Sequence, residues 1–368
     1  MKKTALFPTV LLLVAILMIL LGPVTSVWSQ MARSRSLSDA DMLDYLAQSL
    51  CLDPTGKPSG ALPVDEDCRQ SRPQRSEDTA PYRKHDWPNS LAAPETVQGY
   101  QASDSVVQRR GSRTLVVQTF DFGTGGRVFG RFDGGLGKGG DGGQVLMLVD
   151  GWSTAAMTED GGGGVQWFIG EACRSPVATD RRFLGWLMFH NEVKGDAWKS
   201  AVAWLNITAS PESCPRHFNV AFTRYRLDRI AFPFRIIEAG SPVTTTTRRL
   251  DVVVSEHYGG RDIGSADHLE RFFFARKLGL VRWERWSNRQ VSRQPGAAET
   301  AAQLAGTARC PKVERHGLDS LGSASYGRPG RDWLLVDCRT WTALVRQALP
   351  WSVDRYGWTV LDRFDRLD

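Results

Sequence analysis

From position 113 to 286 the chain is a succession of short aromatic and β-branched runs separated by Gly, Pro or Asp clusters, and that pattern admits few folds. The runs are 113–121, 127–132, 144–149, 165–169, 183–190, 201–207, 217–225, 229–237, 250–258, 269–276 and 280–286. Short strands with no helices between them predict a mainly β protein, an antiparallel β-sandwich or jelly roll, and argue against a doubly wound parallel sheet. A short N-terminal helix is expected over 38–50, where Met42, Leu43, Leu46, Ala47 and Leu50 fall at helical spacing behind the caps Ser38 and Asp39. A small C-terminal α/β extension is expected too, with a strand at 333–337, a helix around 340–349 and an end bearing Trp351 and Trp358.

The organisation along the chain follows from shifts in composition. Lys2 and Lys3 precede an uncharged run dominated by 11–21, with small residues at Ser26 and Ser29, so 1–29 reads as a secretory signal cleaved after one of those serines. The competing reading is an uncleaved anchor, because 5–24 is just long enough to cross a bilayer, although Pro8 and Gly22-Pro23 weaken it. Either way the remainder is expected in the periplasm or outside the cell, touching a membrane only through that first segment. Residues 30–95 read as the helix plus an irregular arm, 96–287 as the sandwich, 288–309 as a linker with a weak helix over 297–305, and 310–368 as an extension packed on the sandwich.

Cys51, Cys68, Cys173, Cys214, Cys310 and Cys338 include no C-x-x-C pair, which removes metal-finger spacing. In an exported chain they predict three disulfides, with sequential pairing favoured among the fifteen connectivities. The net charge of +6 comes from 37 Arg against 9 Lys. The arginines alternate with Asp and Glu and never form a block, so a nucleic-acid partner is not expected.

Several motifs fail on context. Gly137, Gly139 and Gly142 satisfy G-x-G-x-x-G, but a strand over 144–149 follows where a dinucleotide turn needs a helix. Gly151-Trp152-Ser153-Thr154-Ala155 lacks the second glycine of a nucleophile elbow. No cofactor is expected except calcium, for which Asp133 and Asp141 in the glycine-rich loops are weak candidates.

The densest ionisable cluster lies between 255 and 286. Strict alternation along Val281-Arg282-Trp283-Glu284-Arg285-Trp286 puts Arg282, Glu284 and Trp286 on one face. Glu256, Glu270 and Glu284 could supply the acid and base of a glycosidase, and His257 and Tyr258 the proton abstraction of a polysaccharide lyase. Arg282, Trp286 and Arg271 are the candidate ligand-binding residues, for a glycan or an acidic polysaccharide. The bland alternative is a set of cross-strand ion pairs on a solvated face. These residues point to an exported cell-envelope protein that binds or processes carbohydrate, binding ahead of catalysis; the alternative is a non-catalytic envelope-assembly protein.

Overall fold

The computed structural model describes residues 36–74, 78, 81–85, 87, 102–110, 114–122, 144–149, 151–157, 165–169, 182–184, 186–195, 197–207, 219–238, 241–292, 295–308, 310–313 and 333–346. The protein is mainly β. Helix α1 (Asp39–Leu46) opens it, followed by β1 (Ser49–Leu52), β2 (Gln70–Pro73), β3 (Arg83–His85), β4 (Ala102–Arg110) and β5 (Thr114–Phe122). Next come β6 (Gln144–Val149), β7 (Trp152–Met157), β8 (Val165–Ile169), β9 (Arg182–Leu184), β10 (Trp186–His190) and β11 (Lys199–Ile207). The long strands β12 (Asn219–Glu238) and β13 (Thr244–Tyr258) lead to β14 (His268–Ala275) and β15 (Gly279–Asn288). Helix α2 (Ala297–Ala305), β16 (Trp333–Thr340) and β17 (Ala343–Arg346) follow.

Strands β1 and β2 pair with each other, and the other fifteen join one hydrogen-bonded sheet. It is antiparallel throughout except where β12 lies parallel to β17. The hydrogen-bonded order runs β10-β7-β6-β5-β4-β3-β17-β12-β13-β14-β15-β16, with β8, β9 and β11 attached through β12. Among the described residues β17 is therefore the one strand whose pairing joins β3 to β7 and β10 to the long strands after them.

Several expectations need correction here. The helix expected over 38–50 stops at Leu46, and Ser49–Leu52 turns into a strand held by Gln70–Pro73. Its start is as read: Asp41 N donates to Ser38 Oγ and Ser38 N donates to Asp41 Oδ2, both at 3.2 Å. The arm is less irregular than its composition suggested, because β3 enters the main sheet between β17 and β4. The helix expected around 340–349 is a strand over 343–346, whose Ala343 and Leu344 are buried. The runs 217–225 and 229–237 are one strand, passing straight through Arg226 and Asp228, which pair at 2.9 Å.

Two of the disulfides are present, Cys51–Cys68 with Cα atoms 5.6 Å apart and Cys310–Cys338 at 5.9 Å. Such bridges are commonest in proteins of oxidising compartments. Cys173 and Cys214, the leader at 1–29, the calcium candidates Asp133 and Asp141, and Trp351 and Trp358 lie outside the described residues. Among those residues no helix is long and apolar enough to cross a membrane.

Both faces of the β12–β15 sheet are covered. On one face Val253, Phe272 and Phe274 pack with Met42, Tyr45 and Leu46 of α1 and with Leu146, Leu148, Met188 and Phe189 of β6 and β10. On the opposite face Ile230, Phe232, Val252, Val254 and Phe273 form a second apolar cluster, and Tyr258, Leu269, Trp286, Trp333 and Leu335 form a third. The β14–β15 turn sits under α1 with Gly279 at φ +68°, where a Cβ would stand 3.0 Å from the Leu46 carbonyl. That turn requires glycine.

Candidate functional site

Register builds the site. Arg224 of β12 lies opposite Glu256 of β13, Glu256 opposite Arg271 of β14, Arg271 opposite Glu284 of β15, and Glu284 opposite Cys338 of β16. Because facing residues of neighbouring strands share a side, this register gives one row of alternating charge across four strands, ended by Cys338 on the fifth. The row crosses the sheet between the second and third apolar clusters, as a polar seam in an otherwise apolar face.

Its hydrogen bonds are nearly saturated. Glu256 accepts from Arg224 Nε at 2.6 Å, Arg271 Nε at 2.7 Å and the Tyr258 hydroxyl at 2.6 Å. Glu284 accepts from Arg282 Nε at 2.8 Å, Trp286 Nε1 at 2.9 Å and, more distantly, Arg271 Nη1 at 3.3 Å. Arg282 also donates to the Thr340 hydroxyl at 2.7 Å, the Pro311 carbonyl at 3.0 Å and Cys310 Sγ at 3.1 Å. Glu256, Arg271, Arg282, Glu284 and Trp286 are all fully buried.

The electrostatics follow from this enclosure. Burial alone would raise the pKa of Glu256, but Arg271, Arg224 and the Tyr258 hydroxyl together hold it below the usual carboxylate range. Burial and the adjacent Glu256 push the Tyr258 phenol well above its ordinary value. Burial lowers His257 to about 3, so its imidazole stays neutral at physiological pH.

The structure therefore brings together Glu256, Tyr258, Arg271, Arg282, Glu284 and Trp286, and separates Glu270 and His257 from them. Glu270 faces His257 and Arg285 on the other side of the sheet. The six that meet do so in a closed interior, which corrects both the open sugar-binding face and its alternative, ion pairs on a solvated face. The pairs exist, but Tyr258, Trp286, Trp333, Leu335 and Cys338 pack beside them and Cys310 and Pro311 cap Arg282, so water is excluded.

Two arrangements escaped sequence reasoning. Arg224 completes the row, and its guanidinium also stands 4.2 Å from the centre of the Trp198 ring, with that of Arg226 at 4.8 Å. Its only sequence signal is the spacing of Arg224 and Arg226 on a strand. The other is Ser255 Oγ, 2.9 Å from His257 Nε2 and 2.5 Å from the Met188 carbonyl. A carbonyl only accepts, so Ser255 donates to Met188 and His257 donates to Ser255, the reverse of the polarity that activates a nucleophile. The i, i+2 spacing of Ser255 and His257 was the available clue.

Among the described residues no group of three or more His, Cys, Asp or Glu could hold a metal ion. No family model, curated protein or solved structure matches the chain.

Proposed function

We propose that the protein is a non-catalytic carbohydrate-binding protein of an oxidising compartment outside the cytoplasm, the periplasm or the exterior of the cell. The observation that carries this reading is the lock on Glu256 and Glu284. A glycosidase needs one carboxyl group with a raised pKa to protonate a leaving oxygen, and both groups must reach the sugar. Glu256 is held ionised, and both carboxylates are enclosed. A lyase needs a phenol or imidazole that takes a proton from substrate, while Tyr258 and His257 are buried with pKa values displaced away from that task.

Saccharide is the ligand class because partly exposed indoles remain at the surface: Trp152, with its ring centre 4.2 Å from that of His190, Trp186 on β10, and Trp198 beside two guanidiniums. An indole edge of this kind offers an apolar face to sugar C–H groups and an N–H donor to hydroxyls. For the architecture, the packing of β6 and β10 onto β13 and β14 through one apolar cluster supports a sandwich.

Glycan-array binding followed by calorimetry tests the reading. The wild type is expected to bind a saccharide without cleaving it, to keep that affinity in Glu270→Gln, and to lose at least tenfold in Trp152→Ala or Trp198→Ala. Release of new sugar ends would overturn the non-catalytic reading. Failure to bind any glycan, with cross-linking of native envelopes to a protein partner, would favour an assembly role instead.

A further inference from the structure

Arg235 of β12 is a buried cation that meets no acid among the described residues. It is 3% exposed, its Nη1 has no hydrogen-bond partner, and its one side-chain contact of note is the Trp87 ring, whose centre lies 5.6 Å from the guanidinium carbon. Burial lowers its pKa, and no carboxylate among the described residues offsets that. Arg271 and Arg282, fully enclosed on the same sheet, each contact at least one glutamate. A guanidinium taken out of water without a counter-charge is the arrangement that folding otherwise avoids.

The surroundings are built and rigid. Trp87 N donates to the Thr340 carbonyl at 3.0 Å, and its Nε1 donates to the Thr342 hydroxyl at 2.8 Å. That hydroxyl in turn donates to the Pro233 carbonyl at 2.6 Å. In register beside Arg235 stand Thr245 on β13 and Ala343 on β17, while Thr247 faces Pro233. Thr245 and Thr247 are exposed, so neutral hydroxyl donors border the cation on its solvent side. No second cation flanks it in register.

We propose that Arg235, backed by Trp87 and flanked by Thr245 and Thr247, is an oxyanion receptor that takes the carboxylate of an acidic saccharide. A planar fork of N–H donors matches a carboxylate in a bidentate pair, and a single guanidinium among neutral donors suits one negative charge rather than a phosphate dianion. The saccharide part of this assignment rests on the function proposed above; the oxyanion part stands on Arg235 and its neighbours.

The test is calorimetry and thermal unfolding of the full chain at constant ionic strength, with glucuronate, acetate, glucose and inorganic phosphate as probes. Glucuronate is expected to raise Tm and to bind the wild type at least tenfold more tightly than Arg235→Gln, with glucose and phosphate giving no such difference. Thr245→Val/Thr247→Val, changed only at exposed positions, is expected to weaken glucuronate severalfold and keeps the test decisive if Arg235→Gln does not fold. Equal glucuronate binding by wild type and Arg235→Gln, or no anion effect on the wild type, overturns the receptor. Acetate matching glucuronate, both dependent on Arg235, overturns the saccharide assignment alone. An acidic glycan that needs Trp152 or Trp198 but not Arg235 overturns the receptor and leaves the proposed function standing.

Discussion

Arg271 and Arg235 belong to one sheet and both are buried, Arg271 completely and Arg235 not quite, and their neighbours differ in kind. Arg271 lies between Glu256 and Glu284, with the Trp286 ring centre 5.6 Å from its guanidinium carbon. Arg235 has an indole of the same sort at the same distance and no carboxylate beside it among the described residues. The first cation is satisfied from within and has nothing left to offer a ligand. The second leaves its charge to be balanced from outside. Where a buried charge is found matters less for function than whether the fold already answers it.

Removing one member of the answered set should have the largest effect. Arg271→Met leaves two carboxylates enclosed without their shared cation and is expected to cost about 3–5 kcal/mol, read from the urea midpoint at unchanged m. Adding Glu256→Gln should recover part of that loss, since it removes one of the orphaned charges. A full recovery by Arg271→Met alone, with no destabilisation, would show that the row contributes nothing to the fold.

Acid offers a milder probe of the same interior. The unfolded chain protonates His257 below about 6.5, whereas the folded protein does so only near 3. Between those values the unfolded state holds the extra proton, so stability is complete above pH 6.5 and declines as pH falls toward 3. The expected loss from pH 7 to 4.5 is about 2–3 kcal/mol through this group. Glu256, whose folded pKa is depressed, adds a loss in the same direction only below the ordinary carboxylate range. Urea titrations at both pH values should show the slope above pH 4.5 flattened in His257→Gln.

The smallest change is expected where the cation has no acid. Arg235→Met, measured without ligand, should alter stability by no more than about 1 kcal/mol, in the stabilising direction, because it removes an uncompensated charge. A loss comparable to that of Arg271→Met would erase the contrast between the two arginines.

Part of this was legible in the sequence. Alternation along 281–286 placed Arg282, Glu284 and Trp286 on one side, because a period of two is a property of the strand itself. Their enclosure was not legible. Polar residues at every second position look the same whether water or a second layer lies over them, and the cover comes from remote segments such as Cys310, Pro311 and Trp333. The strand over 343–346 was misread for a related reason: a short apolar run around Leu344 and Val345 fits either period, and its parallel pairing with Arg235–Glu238 decides the matter. Arg226 and Asp228 looked like a break in β12 because their mutual ion pair is invisible in one dimension. The cysteine spacing fared better, since short sequential loops are the easiest to close, and two such bridges are present.

Strand β17 sets a timetable. It follows every other strand named here, yet among the described residues it alone joins β3 and the strands beyond it to β12 by strand pairing. Early and late portions of the polypeptide meet through the first apolar cluster, but their sheets become continuous only through those four residues. Pairings so distant along the chain slow the search for the finished form. Until β17 is in place, β3 and the 235–238 stretch of β12 each keep an open edge.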